Sequence, residues 1–523
     1  MHSGKLLLNM LAFELLLTGG MTARAQQTLA SVGATSCQVV HTVPSEGDRL
    51  FQVGDYKNAN KHYADALATN TNGRTAFTGL VRSLLAMNLP NDALATAASY
   101  TTEHPNDATA EAMMAAIHLR LGEVDDATAH VNHAVNLDKC NPWAHYEASL
   151  LLKLSGYFAR AKTQMDTAHR LLPDEPSIAV AWQRMQVKDS AGCSMTTATE
   201  HTVLSMIPMD DVQSMRMSGA DRMALKMIVD RATAEQAQHG STATPPVQLQ
   251  DRPFNAMGLR MQIQGKHAML EVDTGASGIT LTRTIAGTLG LKPLAATHME
   301  GVGGEHAASG YWAHVSEITI GDVTFKNCTV EVISDDSRVR VDGLIGADIF
   351  REKLVTLDFP AHELQLDPLP LQPGSMATGA MDRYIAPEMQ DWKDFYRAGH
   401  LIIVPTKIGD TPMKLFMMDS GAEVNAINPT SARLVSKMNV SDRGIKGISG
   451  TNNQVYRAKE VTLTFAGLQQ TVENIMSFDT NGLSDNAGVE ISGFIGFPAL
   501  RHVVLKLDYR DNLMRVEYRP KTQ

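Results

Sequence analysis

"AMLEVDTGASGITLT" (268–282) sets an apolar run, then Asp-Thr-Gly, then a second apolar run. Further on, "KLFMMDSGAEVNAIN" (414–428) repeats the order with Asp-Ser-Gly. From average residue usage, a bare Asp-[Ser/Thr]-Gly arises by chance about a quarter of the time in a chain this long. The reading therefore rests on the surroundings of the two aspartates.

Those surroundings agree in register. From Asp273 to Gly301 of "GVGG" is 28 residues, and from Asp419 to Gly447 of "GISG" is also 28. Each copy later offers two apolar residues and a glycine, "GLIG" (343–346) and "GFIG" (493–496). From Gly346 to Asp358 and from Gly496 to Asp508 the step is 12 residues both times. Around these landmarks lie short Val/Ile/Thr-rich runs parted by glycine turns, such as "SEITIGDVTF" and "LIIVPTKIGD", the pattern of an all-β region. The region is an internal duplication.

In these residues the chain resembles the retropepsin-like aspartic proteases. Asp-Thr-Gly-Ala, Asp-Ser-Gly-Ala, the glycine-containing hairpin and the later Ile-Gly follow that family's order over about 250–370 and 395–520. The resemblance implies a small β-barrel-like lobe per copy (251–370 and 395–520, with a linker at 371–394), the two sharing one site at their junction. It implies Asp273 and Asp419 as the catalytic carboxylates of an aspartic-type endopeptidase. Thr274 and Ser420 would hydrogen-bond across the junction, and Gly275 and Gly421 would let the backbone approach the carboxyl groups. Gly301, Gly303 and Gly304, with Gly447 and Gly450, would form flap tips over an extended peptide. Gly346 and Gly496 would brace the loops, and Asp358 and Asp508 would end strands. Peptide hydrolysis requires the pair: one carboxylate takes a proton from water while the other, protonated, polarises the carbonyl. Two carboxylates about 3 Å apart share one proton. Ala276 and Ala422 stand where many pepsin-like enzymes carry a hydroxyl that lowers a carboxylate's pKa, so the expected pH optimum is milder than pepsin's. This chemistry requires no metal and no cofactor. "HMEGVGGEH" (298–306) lacks the Gly-Lys-Ser/Thr of a phosphate loop.

The stretch 40–185 repeats with a different period. Ala59, Ala93, Ala127 and Ala161 recur every 34 residues, as do Ala66, Tyr100, Ala134 and Ala168. Gly54, Gly122 and Gly156 open matching segments. Small residues where helices pack closely and glycine between them predict one helix pair per repeat, stacked to bury a shared face. Through Gly54, Tyr56, Ala59, Tyr63 and Ala66 this region resembles the tetratricopeptide repeat family, with Asn88 and Pro90 departing from the pattern in the second repeat. The resemblance implies a surface for a protein or peptide partner; a spacer or dimerisation role is the alternative. His130 and His133 read as a solvated helix face. Residues 186–250 read as a helical segment ("DDVQSMRMSGADRMALKMIVDRATAEQAQ") and a linker.

The whole chain fits this multidomain plan. Its 523 residues suggest three or four domains, and a net charge of −10 gives no reason to expect nucleic acid. Lys5, the apolar run 6–20 and "ARA" (23–25) predict a signal peptide at 1–25 and an exported protein, periplasmic or secreted. No later run approaches the ~20 apolar residues of a membrane span. Cys37, Cys140, Cys193 and Cys328 allow three full pairings, with Cys328 in a strand-like run read as a core thiol. Two lobes in one chain favour internal pairing as a monomeric pseudo-dimer. A homodimer with lobes paired between chains, or a non-catalytic peptide-binding scaffold, are the competing readings.

Overall fold

The computed structural model describes residues 37–69, 73–186, 193–197, 201–209, 256–299, 308–334, 339, 341–373, 383–441, 444–447, 450–452 and 454–519. The expected signal peptide and most of 186–250, including the stretch 210–238 with helical periodicity, lie outside them.

The described N-terminal part is nine helices: α1 (Glu46–Gln52), α2 (Tyr56–Ala68), α3 (Gly73–Ala86), α4 (Pro90–Glu103), α5 (Ala108–Arg120), α6 (Val124–Leu137), α7 (Pro142–Leu154), α8 (Phe158–Leu171) and α9 (Pro176–Gln186). Four pairs are joined by turns whose hinge residue has a left-handed backbone: Gly54 at φ 80°, Asn88 at 57°, Gly122 at 74° and Gly156 at 86°. Asn88 works in the glycine position because asparagine tolerates that region better than other side chains. Pro90 opens α4, where a missing N–H costs nothing. Ala59, Ala93, Ala127 and Ala161 are fully buried where neighbouring helices meet. Tyr100, replacing alanine in the second column, stacks on Phe77 with ring centres 3.9 Å apart. Arg82 on α3 lies between the rings of Phe51 and Trp143 and ion-pairs at 3.0 Å with Glu175, just ahead of α9, tying distant repeats together.

The strands that follow form two lobes around a shared sheet. Its order is Lys393–Asp394, Leu513–Tyr518, Val503–Asp508, Lys353–Asp358, Glu363–Pro368 and Thr202–Pro208. At its centre a first-lobe strand pairs antiparallel with a second-lobe strand, from Leu354 opposite Asp508 to Asp358 opposite Val504. Thr202–Pro208 also pairs with Met257–Ile263, so the sheet runs on into the first lobe. This strand lies within the span 186–250, ahead of the stretch whose periodicity is helical. Thr202, Leu204 and Met206 are buried, alternating with exposed Val203 and Ser205, a half-buried strand's period. An apolar cluster that includes Leu270, Phe325, Val355, Phe416, Leu463 and Leu507 spans both lobes.

The repeats rest on the second lobe through the turns between paired helices. The Gly122 turn leans on Leu415 and Glu490, Lys414 Nζ donates to the Leu121 carbonyl at 3.2 Å, and Arg120 pairs with Asp485 at 2.5 Å. One turn further along, the Asn512 amide donates to the Leu154 carbonyl at 3.4 Å and Arg397 lies over the Phe158 ring. The apolar core of the repeats continues into Leu415, Phe478, Ile491 and Phe494 of the lobe.

Two disulfides are formed, Cys37–Cys140 and Cys193–Cys328. Cys328 is in the core but is not a free thiol: Cys193 precedes Ser194–Thr197, which pairs with Cys328's own strand and delivers the partner sulfur. The other bridge pins the N-terminal segment to the connection between α6 and α7, and Val40 N–H donates to the Leu171 carbonyl at the end of α8 at 2.8 Å. Among the described residues no helix is long and apolar enough to cross a membrane.

Removing the Cys37–Cys140 bridge opens a loop closed across 103 residues of sequence. Replacing both cysteines by serine should lower stability by about 2–4 kcal/mol. Urea unfolding followed by far-UV circular dichroism checks this, and a helical transition at the parent midpoint contradicts it.

Candidate active site

Asp273 ends strand Lys266–Asp273 and Asp419 ends strand Lys414–Asp419. Each strand is buried and apolar because it is sandwiched in its lobe: Leu270 and Val272 in one, Phe416 and Met418 in the other. Each pairs in parallel with a short strand that ends on glycine, Asp273 opposite Gly346 and Asp419 opposite Gly496. A side chain at those glycines would collide with the loop leaving the aspartate. An added Cβ at Gly346 would come 2.5 Å from the Ala276 carbonyl oxygen, and one at Gly496 would come 2.2 Å from that of Val424.

The two loops are held together by a reciprocal exchange of hydrogen bonds. Thr274 N–H donates to Ser420 Oγ at 3.0 Å, and Ser420 N–H donates to Thr274 Oγ1 at 2.9 Å. Each hydroxyl then donates to the carbonyl that precedes the opposite aspartate, Thr274 to Met418 and Ser420 to Val272, both at 2.9 Å. Both residues are buried, so every donor and acceptor in this ring is spoken for without water.

The exchange brings the carboxyl groups of Asp273 and Asp419 into hydrogen-bonding contact. Gly275 N–H donates to Asp273 Oδ1 at 2.7 Å, while Gly421 and Ala422 N–H both donate to Asp419 Oδ1 at 3.0 Å. Each glycine faces the other lobe's acid. A Cβ at Gly275 would sit 2.8 Å from Asp419 Cγ, and one at Gly421 would sit 2.5 Å from Asp273 Cγ. Burial raises both carboxyls above the usual aspartate range. Asp419 is pushed well up, by burial first and then by the charge of Asp273, whereas backbone N–H groups pull against the rise on both sides.

Residues 259–349 match the family model described as aspartyl protease, and residues 50–117 match a tetratricopeptide repeat model. The chain joins tetratricopeptide repeats to an aspartyl protease domain. The protease match takes in Asp273 and Gly346 and stops short of the second lobe, whose equivalence lies in the paired strands above. Among solved structures, an aspartic proteinase from Irpex lacteus shares 10% identity, with 51% of this chain and 94% of that chain covered and a TM-score of 0.32. A thermophilic tetratricopeptide repeat protein from Thermus thermophilus shares 21% identity over 27% of this chain and 77% of its own, with a TM-score of 0.23. No curated protein matches the sequence.

Other residues singled out in the sequence fall as follows. Gly447 and Gly450 face each other at the end of a two-stranded hairpin, Ile445–Gly447 with Gly450–Asn452. Gly301, Gly303 and Gly304 lie outside the described residues, on the connection between strands Pro293–Met299 and Ala308–Ile320. Asp358 accepts from Ala361 N–H and from Arg519, and Asp508 accepts from Arg510 and Asp511 N–H, so both cap turns at strand ends. Burial, helped by the Asp511 charge, raises Asp508 to about 6.

Three contributors carried no signal in the sequence. Asp348 accepts from Gly278 N–H at 2.9 Å behind the first loop, and Asn425 accepts from Gly496 N–H at 2.9 Å behind the second. His400 reaches the Gly275 carbonyl at 3.0 Å. Among the described residues, the group with metal-ligand geometry lies on the repeats, at His118, Glu123 and Asp126. His130 and His133 nearby are both engaged by Glu111.

Removing the Ser420 hydroxyl leaves the buried Thr274 N–H without its acceptor, so Ser420→Ala should cost about 1–3 kcal/mol. Ser420→Thr keeps the oxygen and should cost less. Guanidinium unfolding of the two variants separates them, and equal midpoints would refute the exchange as a stabilising element.

Proposed function

We propose that the protein is an exported aspartic endopeptidase in which Asp273 and Asp419 of one chain activate a water between them. The observation that carries this reading is the Thr274–Ser420 exchange, which brings two buried carboxyl groups into contact at the junction of two lobes. Two acids so placed retain one proton between them, and their titration belongs to the pair. One member of the pair is ionised and the other protonated; we take Asp273 as the ionised one. It takes a proton from the attacking water as the oxygen bonds to the peptide carbonyl carbon, while Asp419 gives its proton to the carbonyl oxygen. The resulting gem-diol collapses as Asp273 returns a proton to the leaving nitrogen and Asp419 regains one from a diol hydroxyl. The hairpin ending at Gly447 and Gly450 would close over an extended substrate and exclude water.

Cleavage of a peptide library tests this. Asp273→Asn and Asp419→Asn should each lower the rate by about 10²–10⁴-fold. Three proteins of equal activity would dispose of the enzyme reading. An effect from one substitution alone would dispose of the shared pair.

The pH dependence follows from the raised carboxyls. Activity needs one proton on the pair, so it falls as pH rises through the upper pKa and removes that proton. Because that value is raised, and because Ala276 and Ala422 supply no hydroxyl to lower it, activity should persist well above strongly acidic pH. A rate profile confined to pH below about 3, the unperturbed range of a carboxylic acid or lower, would contradict this.

Internal pairing is supported by the cross-lobe strand pair from Leu354 to Asp358 and by the exchange at Thr274. Sedimentation of the active protein should give a monomer; activity lost on dilution would favour lobes paired between chains. Export is supported by the charged-apolar-small pattern of the N-terminus and by two disulfides. A protein or peptide partner on the helical repeats fits that repeat family, although the turns at Gly122 and Gly156 are taken up by the second lobe.

A further inference from the structure

We propose that His400 is a positioning residue of the acid pair, holding the Gly275–Ala276 peptide beside Asp273 from the opposite lobe. The inference rests on the dyad reading above. His400 occupies the second position of a two-residue turn between strands Tyr396–Ala398 and Leu401–Ile408, whose last pair is Ala398 opposite Leu401. Gly399 takes the positive φ, 64°, that such a turn needs at its first position. The turn carries the half-buried imidazole over the lobe junction. There Nε2 lies 3.0 Å from the Gly275 carbonyl oxygen. A carbonyl only accepts, so Nε2 carries the hydrogen.

That carbonyl is one end of a peptide whose other end faces the acid. Ala276 N–H donates to the Asp273 main-chain carbonyl oxygen at 3.2 Å and also pulls the Asp273 carboxyl down, while the Gly275 N–H of the preceding peptide donates to Asp273 Oδ1. A donor on the Gly275 oxygen polarises this peptide, and chains of hydrogen bonds strengthen one another in a low-dielectric site. The imidazole edge thus acts on Asp273 through one peptide unit as well as through its own field, which favours the charged carboxylate. The acid facing His400 is Asp273. Arg397, on the same hairpin, is turned away onto the Phe158 ring and the Tyr509 carbonyl. The pairing is cross-lobe: a second-lobe hairpin sets the geometry of the first-lobe acid.

The test compares His400→Ala and His400→Gln in the full chain, with two readouts. In steady-state cleavage of the best library peptide, His400→Ala should lower kcat about tenfold with KM within about twofold, the size of one lost positioning hydrogen bond. The acid limb of its pH profile should move to higher pH, and His400→Gln, which keeps an N–H donor, should recover most of kcat. The second readout is the titration of 13C-labelled aspartate carboxyls, with Asp273 assigned by its loss in Asp273→Asn. The first carboxyl of the pair should ionise at higher pH in His400→Ala than in the parent. A parent-like carboxyl titration in His400→Ala overturns the proposal, as does a loss of kcat that His400→Gln shares and that tracks a lower unfolding midpoint. If the parent protein cleaves no peptide, the enzyme reading fails on its own, and the carboxyl titration still decides His400.

Discussion

Two carboxyl groups brought together away from water repel as soon as both are charged, so contact between them needs a restraint that does not depend on their charge. Thr274 and Ser420 supply it. Each hydroxyl accepts from the other's backbone N–H and donates to the carbonyl just ahead of the other's aspartate. Nothing in that ring titrates, so the loops stay together in every protonation state of the pair. The surrounding architecture serves the same end. Parallel strands ending at Gly346 and Gly496 back the loops, and the sheet joining Lys353–Asp358 to Val503–Asp508 fixes the lobes to each other some distance away.

The helical repeats extend this restraint on the side of the second lobe. Their turns at Gly122 and Gly156 sit against the second lobe, and their core is continuous with its outer apolar face. The Leu401–Ile408 hairpin is held at its base, where Tyr396 is buried in that shared core and Arg397 lies over Phe158. His400, three residues beyond Arg397, touches the first lobe's loop. The distance from repeat to acid is therefore short along the chain although the two belong to different folds.

Much of this was readable from residues alone, for a reason that differs by feature. The alanines every 34 positions and the glycines between helices are local requirements of close packing and of a left-handed turn, so they stand in the sequence at the positions where they act. Asp273 and Asp419 were legible because the copies kept their spacing. Thr274 and Ser420 needed the resemblance to give them a role. His400, Asp348 and Asn425 belong to no pattern, since each acts on a backbone group about 70 to 125 residues away. Strand Thr202–Pro208 was missed because seven alternating residues are a weak signal beside a longer helical period, and its partners, Glu363–Pro368 and Met257–Ile263, are remote. The cysteine pairings were likewise a matter of which segments the fold brings side by side.

Gly275 and Gly421 lack side chains on each other's account. The space beside Gly275 is filled by the acid of the second copy, and that beside Gly421 by the acid of the first. After duplication, the copies were free to drift wherever each served only its own lobe, as Ser277 against Glu423 illustrates. At these two glycines neither copy can change without a compensating change in the other. The duplication therefore left a pair of positions under joint inheritance, where the unit that varies is the chain and not the lobe.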